Sequence, residues 1–222
     1  TSMPRLDIKK TYKLFIGGKF PRTESGRSYP IKDEKGGVVA NLCLASRKDF
    51  RNAVVVARKA QAGWANMTAY NRGQILYRLA EMLETRRDAF TAEIQVLGLS
   101  KQQAKKEVDT SIDRLVYYAG WCDKYSALFS AVNPTATAHF NFSVHEPTGV
   151  VAAILPEESP LLGLISTLAP IIAGGNSVIV LASQMKAISA VSFGEVIQNS
   201  DVPSGVVNIL TGEGQELLPH MA

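Results

Sequence analysis

From Ser159 to Met185 the chain carries no charged residue, and no other feature restricts its fold so strongly. A stretch this long raises the question of a membrane span, but Pro170, Gly174, Gly175 and Asn176 interrupt it. A helix over 160–173 opened by Pro160, a Gly-Gly-Asn cap and a buried strand from Ser177 account for it better, because buried parallel strands are apolar throughout. Just upstream, Gly149-Val-Val-Ala-Ala-Ile-Leu155 predicts a strand over 149–155 that runs into the tight turn Pro156-Glu-Glu-Ser-Pro160. Strand, turn, helix and strand form a βαβ unit, the element that builds cofactor-type folds and points its turn at a ligand. The alternation continues with a strand over 177–182, a helix over 187–199, a strand over 206–210 and a last helix from Gln215. Such regularity predicts a parallel sheet with right-handed crossovers.

Before this unit the pattern changes. Leu14-Phe-Ile-Gly-Gly-Lys-Phe20 reads as a hairpin whose Gly-Gly turn has room for positive φ, and strand-like runs follow at 29–31 and 38–44. Ser46-Arg-Lys-Asp49 is a capping box opening a helix with Phe50, Val54, Ala57 and Trp64 near one face. Thr68 caps a second helix carrying Ile75, Leu76, Leu79, Leu83 and Phe90. Ser100-Lys-Gln-Gln103 opens a third, with Val108, Ile112, Leu115, Val116, Ala119 and Cys122 in line. Three helices thus precede the sheet. Residues 138–141 and 143–145 alternate apolar and polar side chains, as a strand with one solvated face does.

Composition narrows the functional classes. With 222 residues and 46% hydrophobic content the chain can form one large or two small domains around an ample core. Its charge of +4 comes from 24 basic and 20 acidic residues that are interspersed, and Arg86-Arg87 and Lys105-Lys106 read as solvated helix faces rather than a nucleic-acid surface. Two widely separated cysteines and three scattered histidines offer neither a disulfide framework nor metal-ligand spacing, which favours a reducing, cytoplasmic setting. The start, Thr1-Ser-Met-Pro-Arg5, has no apolar signal-peptide core, and Thr1-Ser2 reads as residues added ahead of Met3.

Three further segments, Tyr117-Tyr-Ala-Gly-Trp-Cys-Asp-Lys124, His145-Glu-Pro-Thr-Gly-Val-Val151 and Ala169-Pro-Ile-Ile-Ala-Gly-Gly-Asn-Ser-Val178, carry a resemblance to the aldehyde dehydrogenase superfamily that runs from Leu14 to Gly214. The resemblance implies an α/β fold in which N-terminal helices and small β elements pack on a Rossmann-like parallel βαβ sheet. It implies an N-terminal part over 1–136, an oligomerisation-arm strand over 137–148 with an exposed edge, and a partial cofactor domain over 149–222. It also implies NAD(P) as cofactor and a homo-oligomer, or contact with another module of the same kind, with no nucleic acid and no membrane.

At its active-site turn the chain departs from this family. There the turn usually reads Pro-Trp-Asn-Phe-Pro, and the Asn amide helps hold the oxyanion formed when a cysteine attacks the aldehyde; here Glu158 stands in that place. Losing one such donor costs about 2.7–4 kcal/mol of transition-state stabilisation, and an ionised carboxylate adds repulsion. The family's next strand ends in Lys-Pro-Ala/Ser-Glu, whose Lys and Glu contact the adenosine end of the dinucleotide, whereas Leu181-Ala-Ser-Gln184 follows here. Leu donates no hydrogen bond, and an uncharged Gln holds a ribose more weakly than a carboxylate. The family's cysteine nucleophile and its Gly-Ser-Thr turn would both lie beyond Ala222.

Candidate cofactor-binding residues are therefore Leu155, Pro156, Glu157, Leu181, Ser183, Gln184, Gly212 and Gly214, with no catalytic residue and no metal ligand. Gly212-Glu-Gly214 lies between a strand and a helix as a phosphate turn should, but Leu217 stands where a third glycine would fall and Glu213 opposes pyrophosphate, which favours a structural turn. The adjacent Glu157 and Glu158 diverge and are explained by the dipole of the following helix. Cys122 and Cys43 read as packed core thiols, and His145 as a hydrogen-bonding residue at a strand end. These readings point to a catalytically inactive module with an oligomerisation or scaffold role. The alternative is the coenzyme-side portion of a functional NAD-dependent enzyme oxidising an aldehyde to a carboxylic acid.

Overall fold

The computed structural model describes Leu6 and residues 8–221. The reading of Thr1-Ser2 therefore lies outside the described residues.

The N-terminal segment begins with β1 (Thr11–Tyr12), the Gly17-Gly18 hairpin, β2 (Ser28–Lys32) and β3 (Val38–Cys43). These three strands form a sheet of order β1-β3-β2, with β3 parallel to β1 and antiparallel to β2. The hairpin turns on glycines at φ of +60° and +73°, the conformation a two-residue turn between twisted strands requires. Its first strand does not stay local: Phe15 and Ile209 exchange backbone hydrogen bonds of 2.9 and 2.7 Å.

Helix α1 (Arg47–Asn66) starts at the predicted capping box, with Ser46 and Asp49 each bonded to the other's backbone. Helix α2 (Ala69–Glu84) is capped by Thr68, as expected, but it ends before Phe90. The Thr85 hydroxyl donates to the carbonyl of Met82 at 2.8 Å, a side-chain bond that competes with helix continuation. A separate α3 (Arg87–Val96) carries Phe90. Arg86 and Arg87 flank that break and are not merely solvated, because they pair with Glu195 at 2.8 Å and Asp109 at 2.5 Å.

The long α4 (Lys101–Trp121) opens at the Ser100/Gln103 box and α5 (Tyr125–Phe129) follows, so among the described residues five helices rather than three precede the parallel sheet. Val108, Leu115 and Cys122 are buried as predicted, but Val116 points outward at 42% exposure. Next come β4 (Ala131–Asn133) and β5 (Asn141–Ser143), paired antiparallel in a sheet of their own. β5 thus falls within the predicted 138–145 stretch, pairs within the chain, and is solvated on both faces rather than one.

The remainder is β6 (Val150–Ile154), α6 (Pro160–Ala173), β7 (Ser177–Leu181), α7 (Ile188–Gln198), β8 (Val207–Leu210) and α8 (Gly214–Met221). All pairings in the β6-β7-β8 sheet are parallel. Alternate residues of β7 and β8 serve opposite faces. Ile179, Leu181 and Leu210 meet Phe50, Ala53, Ala57 and Leu217 of α1 and α8, while Val178, Val180, Val207 and Ile209 join the larger core under α6 and α7. Helices α2, α3 and α4 cover α6 and α7 from outside. Asn208 ties the hairpin to the sheet, accepting from the Gly17 amide at 2.9 Å and donating to the Gly205 carbonyl at 2.8 Å. The uncharged stretch is divided as predicted between α6 and β7, and no helix among the described residues is long and apolar enough to cross a membrane.

Candidate functional site

At the carboxyl ends of parallel strands the ladder stops and the following turns carry whatever chemistry the fold has. In this chain that edge is formed by Leu155 to Ser159 after β6, Ala182 to Ala187 after β7, and Thr211 to Glu213 after β8.

The first two turns are joined by Glu157. Its carboxylate accepts the Ser183 hydroxyl at 2.5 Å, the Gln184 amide at 2.7 Å and the Met185 amide at 3.2 Å. Ser183 is itself buried, and its oxygen accepts the Lys186 amide at 3.0 Å. Partial burial pushes the Glu157 carboxyl upward, but the Ser183 hydroxyl, the two amides and the Lys186 charge outweigh it, so it titrates below its ordinary range. Glu157 is therefore a turn-to-turn clasp, which corrects the reading that the helix dipole explains it.

The amides that open α6 are instead held from beneath by a residue that the sequence reading missed. Glu107 of α4, 8% exposed, accepts Leu161 at 3.0 Å and Leu162 at 3.2 Å. Its signal was present in the pattern, since Glu107 falls on the stripe formed by Ala104, Val108, Ser111 and Leu115. A carboxylate in a buried stripe needs donors.

Arg72 is a second such case, four residues before Leu76 on the apolar face of α2. Its guanidinium donates to the Ala173 carbonyl at 3.2 Å and the Ala65 carbonyl at 3.3 Å, binding the ends of α6 and α1 together. Trp64 adds an indole bond of 2.8 Å to the Ile172 carbonyl.

The other predicted residues separate. Leu155 is buried and its amide donates to the Leu181 carbonyl at 2.9 Å, so it extends the sheet. Pro156 packs against Gly163, where a Cβ would stand 2.7 Å from the proline Cγ. The Leu181 side chain turns into the core beside Leu14, Phe50 and Leu217. Gly212, at φ +154°, lies over the Ala45 amide, and Gly214 is the first residue of α8. Glu158 is exposed and has no hydrogen bond or ion pair among the described residues.

Cys122 lies in the core, with its thiol on the Tyr118 carbonyl at 3.4 Å and its pKa pushed up to about 11 by burial. Cys43 is buried as well. His145 does not hydrogen-bond as predicted but meets the Phe129 ring edge-on at 6.4 Å.

The sheet, its helices and the turn at its carboxyl edge define a protein of the dinucleotide-fold class. The aldehyde dehydrogenase family model matches residues 22–222, and the chain belongs to that family. It is 32% identical over 220 residues to cytosolic 10-formyltetrahydrofolate dehydrogenase of Mus musculus, covering 96% of this chain and 24% of the relative. To the human mitochondrial 10-formyltetrahydrofolate dehydrogenase it is 31% identical over 214 residues, with 93% and 23% covered. Among solved structures, an NAD+ complex of aldehyde dehydrogenase from Bacillus cereus superposes at a TM-score of 0.90 with 27% identity, covering 95% of this chain and 43% of that one. The chain thus spans about a quarter of the length of these curated relatives and less than half of that structure.

The residues at this edge do not fit the adenosine end of a dinucleotide as they stand. The Ser183 hydroxyl and the Gln184 and Met185 amides of the β7–α7 turn are engaged by Glu157, the Leu181 side chain faces the core, and Glu158 and Glu213 present negative charge to solvent.

Proposed function

We propose that this chain is an aldehyde dehydrogenase-type module that does not itself oxidise aldehydes and acts in oligomerisation or interdomain contact. One observation carries the reading: the side chain at the family's oxyanion position is a free, solvated carboxylate, Glu158. A developing alkoxide there meets repulsion where it needs a donor. Neither thiol of the chain serves as nucleophile, since Cys43 and Cys122 are both buried.

A structural role is supported by the β4–β5 hairpin. Val132 and Phe142 are 70% and 57% exposed on an isolated two-stranded sheet, with Phe140, 73% exposed, just before β5, and such a sheet is marginal in water until something covers it. The partner is a second copy or another module of this family, and neither nucleic acid nor a membrane enters the reading. Residues 1–136, 137–148 and 149–222 form its N-terminal part, arm and partial cofactor domain. Two unpaired buried thiols suit a cytoplasmic location.

The alternative, the coenzyme-side portion of an NAD-dependent aldehyde oxidiser, draws support from the close superposition on an NAD+ complex. Incubating the full-length protein with NAD+ and a panel of aldehydes separates the two. No NADH above the blank is expected, and sustained NADH formation overturns the inactive reading.

A further inference from the structure

Glu157 belongs to the β6–α6 turn, yet all three of its hydrogen bonds reach the next turn of the sheet, at Ser183, Gln184 and Met185. One carboxylate oxygen takes the hydroxyl and the Met185 amide, and the other takes the Gln184 amide. Successive backbone amides with a hydroxyl beside them form an anion-binding concavity, and a carboxylate fills it with the charge-assisted bonds that phosphate oxygens would make. The Ser183 hydroxyl is fixed for this task, because its lone pair receives the Lys186 amide while its proton goes to Glu157. Lys186 supplies a positive charge close by. A carboxylate covalently attached two residues beyond Leu155 is present at a local concentration that no dissolved anion matches.

We propose that Glu157 is a built-in anion that closes the crevice between the β6–α6 and β7–α7 turns, and that removing its carboxylate opens a site for a phosphate-bearing ligand. The inference deepens the proposed function at the same sheet edge, since it supplies a reason for weak or absent dinucleotide binding that does not depend on Glu158. It differs from a catalytic defect in its consequence. Glu158 alters what happens to a bound aldehyde, whereas Glu157 alters whether a phosphate-bearing ligand enters.

Calorimetric titration of the wild-type protein and of Glu157→Ala with inorganic phosphate and with NAD+ tests it. The wild type is expected to show no saturable heat with either, and Glu157→Ala to bind phosphate at least about tenfold more tightly than the wild type, a difference of about 1.4 kcal/mol. Saturable binding of phosphate or NAD+ to the wild type that is no weaker than to Glu157→Ala overturns the proposal, as does a folded Glu157→Ala that binds neither. If circular dichroism shows the variant unfolded, amide exchange on the wild type decides. Slow exchange at Gln184 and Met185 supports the clasp, and exchange at the free-peptide rate removes it. NADH formation by the wild type would end the inactive reading, whereas equal binding by wild type and variant ends only the clasp.

Discussion

The carboxylate of Glu107 in α4 receives the backbone amide of Leu161 at 3.0 Å, so the helix that opens the candidate site is anchored from the layer beneath it. The same oxygen receives Leu162 at 3.2 Å. Removing it leaves two amides at a buried helix start without acceptors. Glu107→Ala is expected to lower unfolding free energy by about 2 kcal/mol, and Glu107→Gln, which keeps one acceptor oxygen, by about 1 kcal/mol. Urea unfolding of the three proteins measures this, and an alanine variant as stable as the wild type would contradict the anchor.

Gly163 allows the β6–α6 turn to lie on α6, since a Cβ there would stand 2.7 Å from Cγ and 3.0 Å from Cδ of Pro156. The proline ring has little freedom to yield. Gly163→Ala is expected to cost about 1–3 kcal/mol through overpacking, despite the better helix propensity of alanine. The melting temperature reports it, and a rise would show that the turn is free to shift.

Glu93 in α3 should make stability depend on pH. Its Oε1 receives the Ser192 hydroxyl at 2.8 Å, while its Oε2 is buried without a hydrogen-bond partner. Burial pushes the carboxyl up, against the Ser192 bond and the charges of Lys10 and Arg86, with Glu195 adding to the rise. The folded protein therefore keeps this proton to higher pH than the unfolded chain does. The contribution is most favourable below the ordinary glutamate pKa and is lost as pH rises through the native value. Glu93→Gln should match the wild type at about pH 4 and exceed it by about 1 kcal/mol at about pH 7. A constant difference between denaturation curves at the two pH values would disprove the linkage.

The thiols should be silent in the native state. Cys122 and Cys43 are both buried, and burial holds Cys122 near a pKa of about 11. An aromatic disulfide reagent at about pH 8 is expected to label neither until denaturant is added. Rapid labelling of Cys122 in the folded protein would reopen it as a nucleophile.

Local chemistry made the parallel sheet readable. Ser46, Thr68 and Ser100 satisfy donors within three residues, the Gly17-Gly18 turn needs only its own backbone, and the uncharged run with Pro160 at one end and Gly174-Gly175 at the other leaves a buried helix and strand as its best division. The break at Thr85 was also local in cause, yet it was hidden because the apolar spacing continues across it to Phe90. The limits of β5 were hidden for a different reason: it takes its register from β4 eight to twelve residues away, and both faces are exposed, so no buried face marks where the strand begins and ends.

Identity and spacing of residues settled the family, the alternation of strand and helix, and the pair of carboxylates in the turn after β6. The direction in which each charged side chain points was settled only by folding. Glu157 reaches across to a turn 26–28 residues further on, Glu107 reaches α6 from α4, and Arg72 joins the ends of α1 and α6. Each pairing satisfies buried or partly buried donors and acceptors brought together by tertiary packing, and such partners leave no period in the chain that joins them.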